Sequence, residues 1–161
     1  MNASFHIVGC VRATRPETAA VDECIAWARR YGAETLAHEG GEAVFVQFDA
    51  PSAQLILHAC RAVLLSTPPV LRFGFASAIK ETGGPDGAAR AGQRGVLQAR
   101  DLAAAARPGQ VLLSSQLGSL LQLAELEPQE RMRPMRVKLP DGRIGAAYEV
   151  ELRRAAPAGA A

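Results

Sequence analysis

The three cysteines are the most reactive side chains that the sequence offers. Cys10, Cys24 and Cys60 lie in apolar surroundings, at separations of 14 and 36 residues. These separations fit neither a metal knuckle nor a disulfide scaffold, and an odd number of cysteines suits a reducing cytoplasm. We therefore predict three free thiols that are buried as small apolar side chains.

The histidines and a pair of serines are the next candidates for chemistry. His6, His38 and His58 are far apart in the sequence and have no acidic or thiol neighbours at the spacing of metal ligands. Ser114 and Ser115 lack the Gly-x-Ser-x-Gly surroundings of a nucleophile. We expect structural or surface histidines, and we expect the serines to cap a helix.

A regular hydrophobic pattern predicts the elements that must position these side chains. In the first helix Val21, Cys24, Ile25 and Ala28 follow the i, i+3, i+4, i+7 spacing of a core-facing stripe. Trp27 lies beside this stripe, either in a second core face or as a partly exposed anchor, and the core is favoured. The pattern predicts strands over 4–11, 34–38, 43–48, 70–78, 110–114, 133–139 and 143–152. It predicts a first helix that has Pro16 in its first turn and ends before Gly32, and further helices over 51–65, 94–106 and 115–122.

The order β-α-β-β-α-β, followed by further strands, predicts an α+β fold with a ferredoxin-like core. In this arrangement the early helices lie on one face of a mostly antiparallel sheet. Residues 1–152 are expected to form one domain. The Ala-, Pro- and Gly-rich tail over 153–161 has nothing to bury and is predicted to be disordered.

Composition excludes several classes of function. The net charge of +2 is too small for a nucleic-acid-binding protein, and no run of Lys or Arg supports one. The longest uninterrupted apolar run is far shorter than the ~20 residues of a membrane span. The first residues lack the basic and apolar regions of a signal peptide. We predict a cytoplasmic protein with no nucleic-acid or membrane partner.

Four segments, in order along the chain, carry a likeness to a known family: Gly41–Pro51, Leu71–Ala78, Val96–Gln110 and Ala147–Val150. One of them contains Ala106-Arg107-Pro108-Gly109-Gln110, a helix end followed by a turn. Together the likeness extends over about residues 34–150. These segments resemble class III adenylate and guanylate cyclase homology domains, and the resemblance implies the cyclase fold, with helices packed on the sheet.

The resemblance also implies where the chemistry should be. These cyclases use two metal ions held by two aspartates, with an Asn and an Arg that stabilise the transition state. Cys10 stands at the first metal position and Glu42 at the second, where it would either hold one metal loosely or be a solvated turn residue. Leu97 stands at the Asn position and Asp101 at the Arg position, and neither can donate to a phosphate. The purine-reading positions are held by His38 and Arg94, and Lys138 is a weak match to a phosphate-binding lysine.

The spacing along the chain also indicates that the catalytic site is lost. Only 32 residues separate Cys10 from Glu42, which leaves no room for a further helix that the resemblance implies near the metals and phosphates. Glu39–Glu42 is also similar to the Gly-Gly-(Asp/Glu)-Glu-Phe hairpin of diguanylate cyclases. However, Ala43 and Val44 replace the Glu-Phe pair.

The sequence thus predicts a non-catalytic cyclase-homology domain without a cofactor, acting in bacterial-type signalling as a regulatory, dimerisation or protein-binding module. The resemblance implies a head-to-tail homodimer or heterodimer with composite sites at its interface. Two alternatives stay open. One is a residual cyclase that needs a complementing partner, and the other is a nucleotide sensor without turnover.

Overall fold

The computed structural model describes residues 5–14, 18–50, 53–65, 70–78, 93–125 and 131–152. The predicted tail over 153–161 lies outside these residues. None of the four described helices is long and apolar enough to cross a membrane. The described elements are β1 (Phe5–Ala13), α1 (Thr18–Arg30), β2 (Glu34–Glu39), β3 (Glu42–Ala50), α2 (Gln54–Leu65), β4 (Leu71–Ser77), α3 (Gln93–Ala105), β5 (Val111–Ser114), α4 (Ser115–Leu123), β6 (Met132–Lys138) and β7 (Ile144–Val150).

All seven strands form one sheet, in the order β2-β3-β1-β4-β5-β7-β6. The pair β4–β5 is parallel and the other pairs are antiparallel. The first four strands, with α1 and α2, are the predicted ferredoxin-like core, and β5, β6 and β7 extend the sheet. The predicted α+β fold is confirmed.

The sheet is covered on both faces because its central strands are apolar on both sides. On one face α1, α2 and α4 pack on Phe45, Phe73 and Phe75, which are fully buried. On the other face α3 packs on β1, β3 and β4, where Ala99 and Ala103 contact the buried strand residues. Helix α3 is therefore the element that covers the second face beside the hairpin β2–β3.

The structure confirms the core predictions. All three cysteines are buried and free. Trp27 is only 3% exposed and lies edge-on to Phe45, so the core interpretation of this residue is correct. Strand β1 continues to Ala13, two residues beyond its predicted end. This extension matters because it brings Arg12 into the sheet.

Candidate functional site

Glu42 lies at the centre of a cluster of charges at one end of the sheet. It is the first residue of β3, directly after the β2–β3 turn, where Gly40 takes a positive φ of 59°. The antiparallel register places Arg12 of β1 directly opposite Glu42. The side chain of Glu42 thus lies beside a guanidinium on the neighbouring strand.

A second guanidinium reaches Glu42 from α3. The Oε2 atom of Glu42 lies 3.2 Å from Arg12 Nε, and its Oε1 atom lies 3.2 Å from Arg100 Nε. The Glu42 side chain is 30% exposed. Both carboxylate oxygens of Glu42 are therefore engaged with guanidinium groups.

These three residues border a cleft of about 430 Å³ between the β2–β3 hairpin, the end of β1 and α3. We call it the hairpin cleft. Its wall combines the two arginines with acidic side chains and a hydroxyl group. The lining residues are Arg12, Ala13, Thr14, Ala37, Glu39, Gly41, Glu42 and Arg100.

Cys10, which stands at the other metal position, lies deeper in the sheet. In the register it is opposite Val44 on one side and Gly74 on the other, and it is fully buried. Burial raises the pKa of the Cys10 thiol to about 12, and the negative charge of Glu42 adds to the rise. The group is a neutral thiol at physiological pH, which is a poor ligand for Mg²⁺.

The metal pair that the cyclase fold implies does not fit these residues. A divalent ion needs several free oxygen ligands, whereas Glu42 is held by two guanidiniums and Cys10 offers only sulfur. Among the residues that the structure describes, no group of three His, Cys, Asp or Glu side chains could hold a metal ion. We derive no metal-dependent step for this chain.

Three further positions implied by the resemblance lie on α3. Leu97 and Asp101 stand at the positions of the transition-state groups, and Arg94 stands at a purine-reading position. Leu97 points outward and is 58% exposed. Arg94 and Asp101 line a separate cleft of about 260 Å³, together with residues of α4 and β7. The structure therefore brings Arg94 and Asp101 together, but it places them in a different cleft from the one that contains Glu42.

His38 and Lys138 lie in neither of these clefts. The Nε2 atom of His38 is 3.2 Å from Asp22 Oδ1 on α1, while its neighbours Ala37 and Glu39 line the hairpin cleft. Lys138 is exposed at the end of the edge strand β6. Both are surface side chains, and the structure gives them no shared site.

The remaining candidates have structural roles. Ser114 Oγ accepts a hydrogen bond from the backbone N–H of Leu117 at 3.2 Å, which makes Ser114 the N-cap of α4, as predicted. His58 stacks on Trp27 with ring centroids 4.5 Å apart, and its Nδ1 lies 3.0 Å from the hydroxyl of Tyr31. Burial, followed by the charges of Arg61 and Arg30, lowers the pKa of His58.

Sequence reasoning missed Arg12 and Arg100, although both are charged residues near the site. The signal was the hairpin itself, because antiparallel pairing of β1 with β3 must place some residue of β1 opposite Glu42. Because β1 was predicted to end at residue 11, Arg12 was not considered as the residue opposite Glu42. Arg100 could not be found from the sequence, since its contact depends on how α3 crosses the sheet.

Comparisons with known proteins identify the fold. No protein-family model matches the chain, and no curated protein matches it in sequence. Solved structures do match. The guanylate cyclase domain of RhGC from Catenaria anguillulae, solved in complex with GTP, is 14% identical with a TM-score of 0.60, and the match covers 94% of this chain and 98% of that one.

Two further structures give the same result. The adenylyl cyclase CyaB from P. aeruginosa is 17% identical with a TM-score of 0.55, covering 94% of this chain and 96% of that one. An unconventional dimer of the guanylyl cyclase domain of the RhoGC fusion protein from Blastocladiella emersonii is 14% identical with a TM-score of 0.56, covering 94% and 98%. The chain has the fold of class III nucleotidyl cyclase catalytic domains.

Proposed function

We propose that this chain is a non-catalytic cyclase-homology domain that serves as a regulatory, dimerisation or protein-binding module in cytoplasmic signalling of the bacterial type. The observation that supports this most directly is the pair of contacts between Glu42 and the two arginines. On a cyclase fold this carboxylate is the one that remains at the metal positions. Here it serves as the internal counter-ion of Arg12 and Arg100.

Electrostatics opposes metal binding at this place. A divalent ion ~5 Å from one guanidinium is repelled by about 2 kcal/mol even with the screening of bulk water, and by more at lower dielectric. Two guanidiniums contact Glu42, and the neutral thiol of Cys10 offers no compensating charge. Glu42 would have to leave both arginines before it could bind a metal.

The surface of α3 supports a role of this domain in dimerisation or protein binding. Leu97 is an exposed apolar side chain, and α3 contributes lining residues to the clefts on both of its sides. We propose that a second copy, or a related domain, packs on this surface. One of the similar solved structures is itself a dimer.

Binding of Mn²⁺, followed by the electron paramagnetic resonance signal of the free ion, tests the loss of the metal site. We expect the wild-type protein to leave the free signal unchanged. The R12D variant removes one of the two guanidiniums and places a second carboxylate opposite Glu42, so it should bind Mn²⁺ more strongly than the wild type does. Saturable binding by the wild type that is lost in E42Q would contradict the proposal.

A residual cyclase is the second candidate, because Glu42 is still a carboxylate at a metal position. In that case a partner domain would supply the missing groups across a dimer interface. Mixing the chain with an active cyclase domain and measuring cyclic nucleotide formation tests this. Turnover above that of the active domain alone, lost in E42Q, supports the residual cyclase, and no gain excludes it.

A further inference from the structure

A further cleft lies on the other face of the sheet, between α1 and α2. Its volume is about 300 Å³, and it shares no lining residue with the two clefts beside α3. We call it the helix cleft. Helix α1 contributes Glu23 and Trp27 to its wall, and α2 contributes His58 and Arg61. The helix cleft therefore combines two aromatic rings with one charge of each sign.

The two charges of the helix cleft come from different helices. Glu23 and Arg61 are both exposed. Asp22, the neighbour of Glu23, forms an ion pair with His38. In the part of the chain that the structure describes, by contrast, neither the Glu23 carboxylate nor the Arg61 guanidinium has an ion-pair partner. The cleft thus presents an unpaired carboxylate on α1 and an unpaired guanidinium on α2.

His58 adds a neutral polar group beside Arg61. It precedes Arg61 by three residues on α2, so both side chains lie on the same face of the helix. Its ring stacks on Trp27, and its Nδ1 lies 3.0 Å from the hydroxyl oxygen of Tyr31. These two contacts fix the ring and leave Nε2 for a ligand. When the hydroxyl donates to Nδ1, Nε2 carries the hydrogen and is a donor.

The rest of the lining is apolar. Burial raises the pKa of the Cys24 thiol to about 12, so this group is neutral and behaves as an apolar side chain. Leu65 is 79% exposed at one end of the cleft. A ligand that covers Leu65 removes apolar surface from water. The other apolar residues of the lining are Ala20, Ala62 and Leu71.

We infer that the helix cleft binds a free α-amino acid with an apolar side chain. Arg61 and the His58 ring bind its carboxylate, because a guanidinium fork matches the two oxygens of that group. Glu23 binds its ammonium group, and its side chain packs against Leu65 and Leu71. A ligand with a single charge would leave either Glu23 or Arg61 unpaired, whereas a zwitterion pairs with both.

The size of the cleft agrees with this ligand. A volume of about 300 Å³ is at the lower end for small-molecule sites, which suits one amino acid better than a nucleotide. The inference goes beyond the proposed function and does not depend on it, because the helix cleft and the metal positions lie apart. Loss of cyclase chemistry and binding of an amino acid can therefore be tested separately.

Titration of the full chain with L-leucine is the test. Trp27, the one tryptophan of the chain, lines the cleft, so its fluorescence reports binding, and calorimetry measures it independently. We expect saturable binding with a dissociation constant on the order of 1 mM. E23Q and R61Q should each weaken it about fivefold, as for loss of an exposed ion pair. R29Q is the matched control, since Arg29 is exposed at the end of α1 and does not line the cleft.

Two leucine analogues assign the charges. Isocaproate lacks the ammonium group and isoamylamine lacks the carboxylate, and we expect the wild type to bind both more weakly than leucine. E23Q should not weaken the binding of isocaproate further, and R61Q should not weaken that of isoamylamine.

Two results would overturn the inference. One is that a folded wild type binds none of leucine, isoleucine and methionine. The other is that E23Q and R61Q bind leucine as tightly as R29Q does. Either result leaves the absence of cyclase activity untouched, because the titration contains no nucleotide and no metal ion.

Discussion

Gln110 shows how a single residue can carry a family likeness without carrying chemistry. It follows Gly109, whose positive φ of 84° turns the chain between α3 and β5. Its Oε1 accepts from the N–H of Arg107 at 2.9 Å, and its Nε2 donates to Glu149 Oε1 at 3.0 Å. Only 6% of Gln110 is exposed. The Pro-Gly-Gln turn therefore has a structural role, because it connects α3 to β5 and holds both against β7.

The Q110A variant tests this role. It leaves the Arg107 N–H and one oxygen of Glu149 without their partner in a partly buried setting, at a cost of about 1 kcal/mol in the free energy of unfolding. Urea denaturation measures the loss. Q116A, on the exposed surface of α4, is the control and should change stability by less than about 0.5 kcal/mol. Equal effects of the two substitutions would show that the hydrogen bonds of Gln110 do not contribute to the free energy of unfolding.

His58 should act as a pH-dependent quencher of Trp27, the one tryptophan of the chain. Its pKa lies below 6.5, because burial and the charges of Arg61 and Arg30 disfavour the imidazolium. The unfolded chain therefore takes up this proton first, and the stability that His58 contributes is present above pH 6.5 and lost as pH falls below it. Protonated imidazole quenches stacked indole, so emission should fall as well.

Fluorescence between about pH 8 and about pH 5 checks this prediction. The wild-type emission should decrease only below pH 6.5. The H58Q variant should show no such step, because it lacks the titrating ring. A step of the same size in H58Q would assign the titration to another group.

Helix α3 is the element that creates the site, and a glycine sets its position. Gly74 of β4 faces α3 so closely that a Cβ atom there would overlap the carbonyl oxygen of Ala99 and the backbone nitrogen of Ala103. Backbone atoms cannot move aside as a flexible side chain can. The small residues on both elements bring α3 onto the sheet, and this close packing places Arg100 within reach of Glu42.

Gly74→Ala should therefore disturb both packing and site. We expect a loss of about 2 kcal/mol or more from overpacking, since the whole helix must shift. Gly145→Ala is the control, because the nearest atoms to its Cβ would belong to the flexible Leu139 side chain, at 3.2 Å, and not to backbone. Thermal unfolding measures the stabilities. An unchanged melting temperature in Gly74→Ala would mean that α3 is not held against β4 as described.

Sequence alone predicted the elements well and their arrangement less well. The periodicity of α1 and the apolar runs of the strands placed most boundaries within about two residues, because local pattern decides them. Contacts across the sheet depend on register and on helix position, which are set by packing of distant segments. For this reason Glu42 was found as a candidate, while Arg12 and Arg100, which decide what Glu42 can do, were not.

At the scale of the whole molecule, α3 borders two of the clefts and exposes Leu97 on its surface. If a second copy packs there, a charge on the exposed Leu97 should weaken association. We expect L97E to raise the dissociation constant of the dimer at least about tenfold, as for loss of a central apolar contact. Analytical ultracentrifugation measures it.

L65E is the matched control for that measurement. Leu65 is 79% exposed at the end of α2, on the opposite face of the sheet from α3. Its replacement should leave association unchanged. A wild-type protein that stays monomeric at every concentration tested would exclude the second copy as a partner, and L65E acting like L97E would show that the contact is not on α3.

We propose that this cyclase fold does not perform cyclase chemistry. The most direct test is cyclic nucleotide formation from ATP and from GTP by the purified chain, with Mg²⁺ or Mn²⁺, measured by mass spectrometry beside the E42Q variant. Since Glu42 is bound by Arg12 and Arg100, we predict that wild type and E42Q give the same background. Metal-dependent formation of cAMP or cGMP by the wild type that disappears in E42Q would contradict the account.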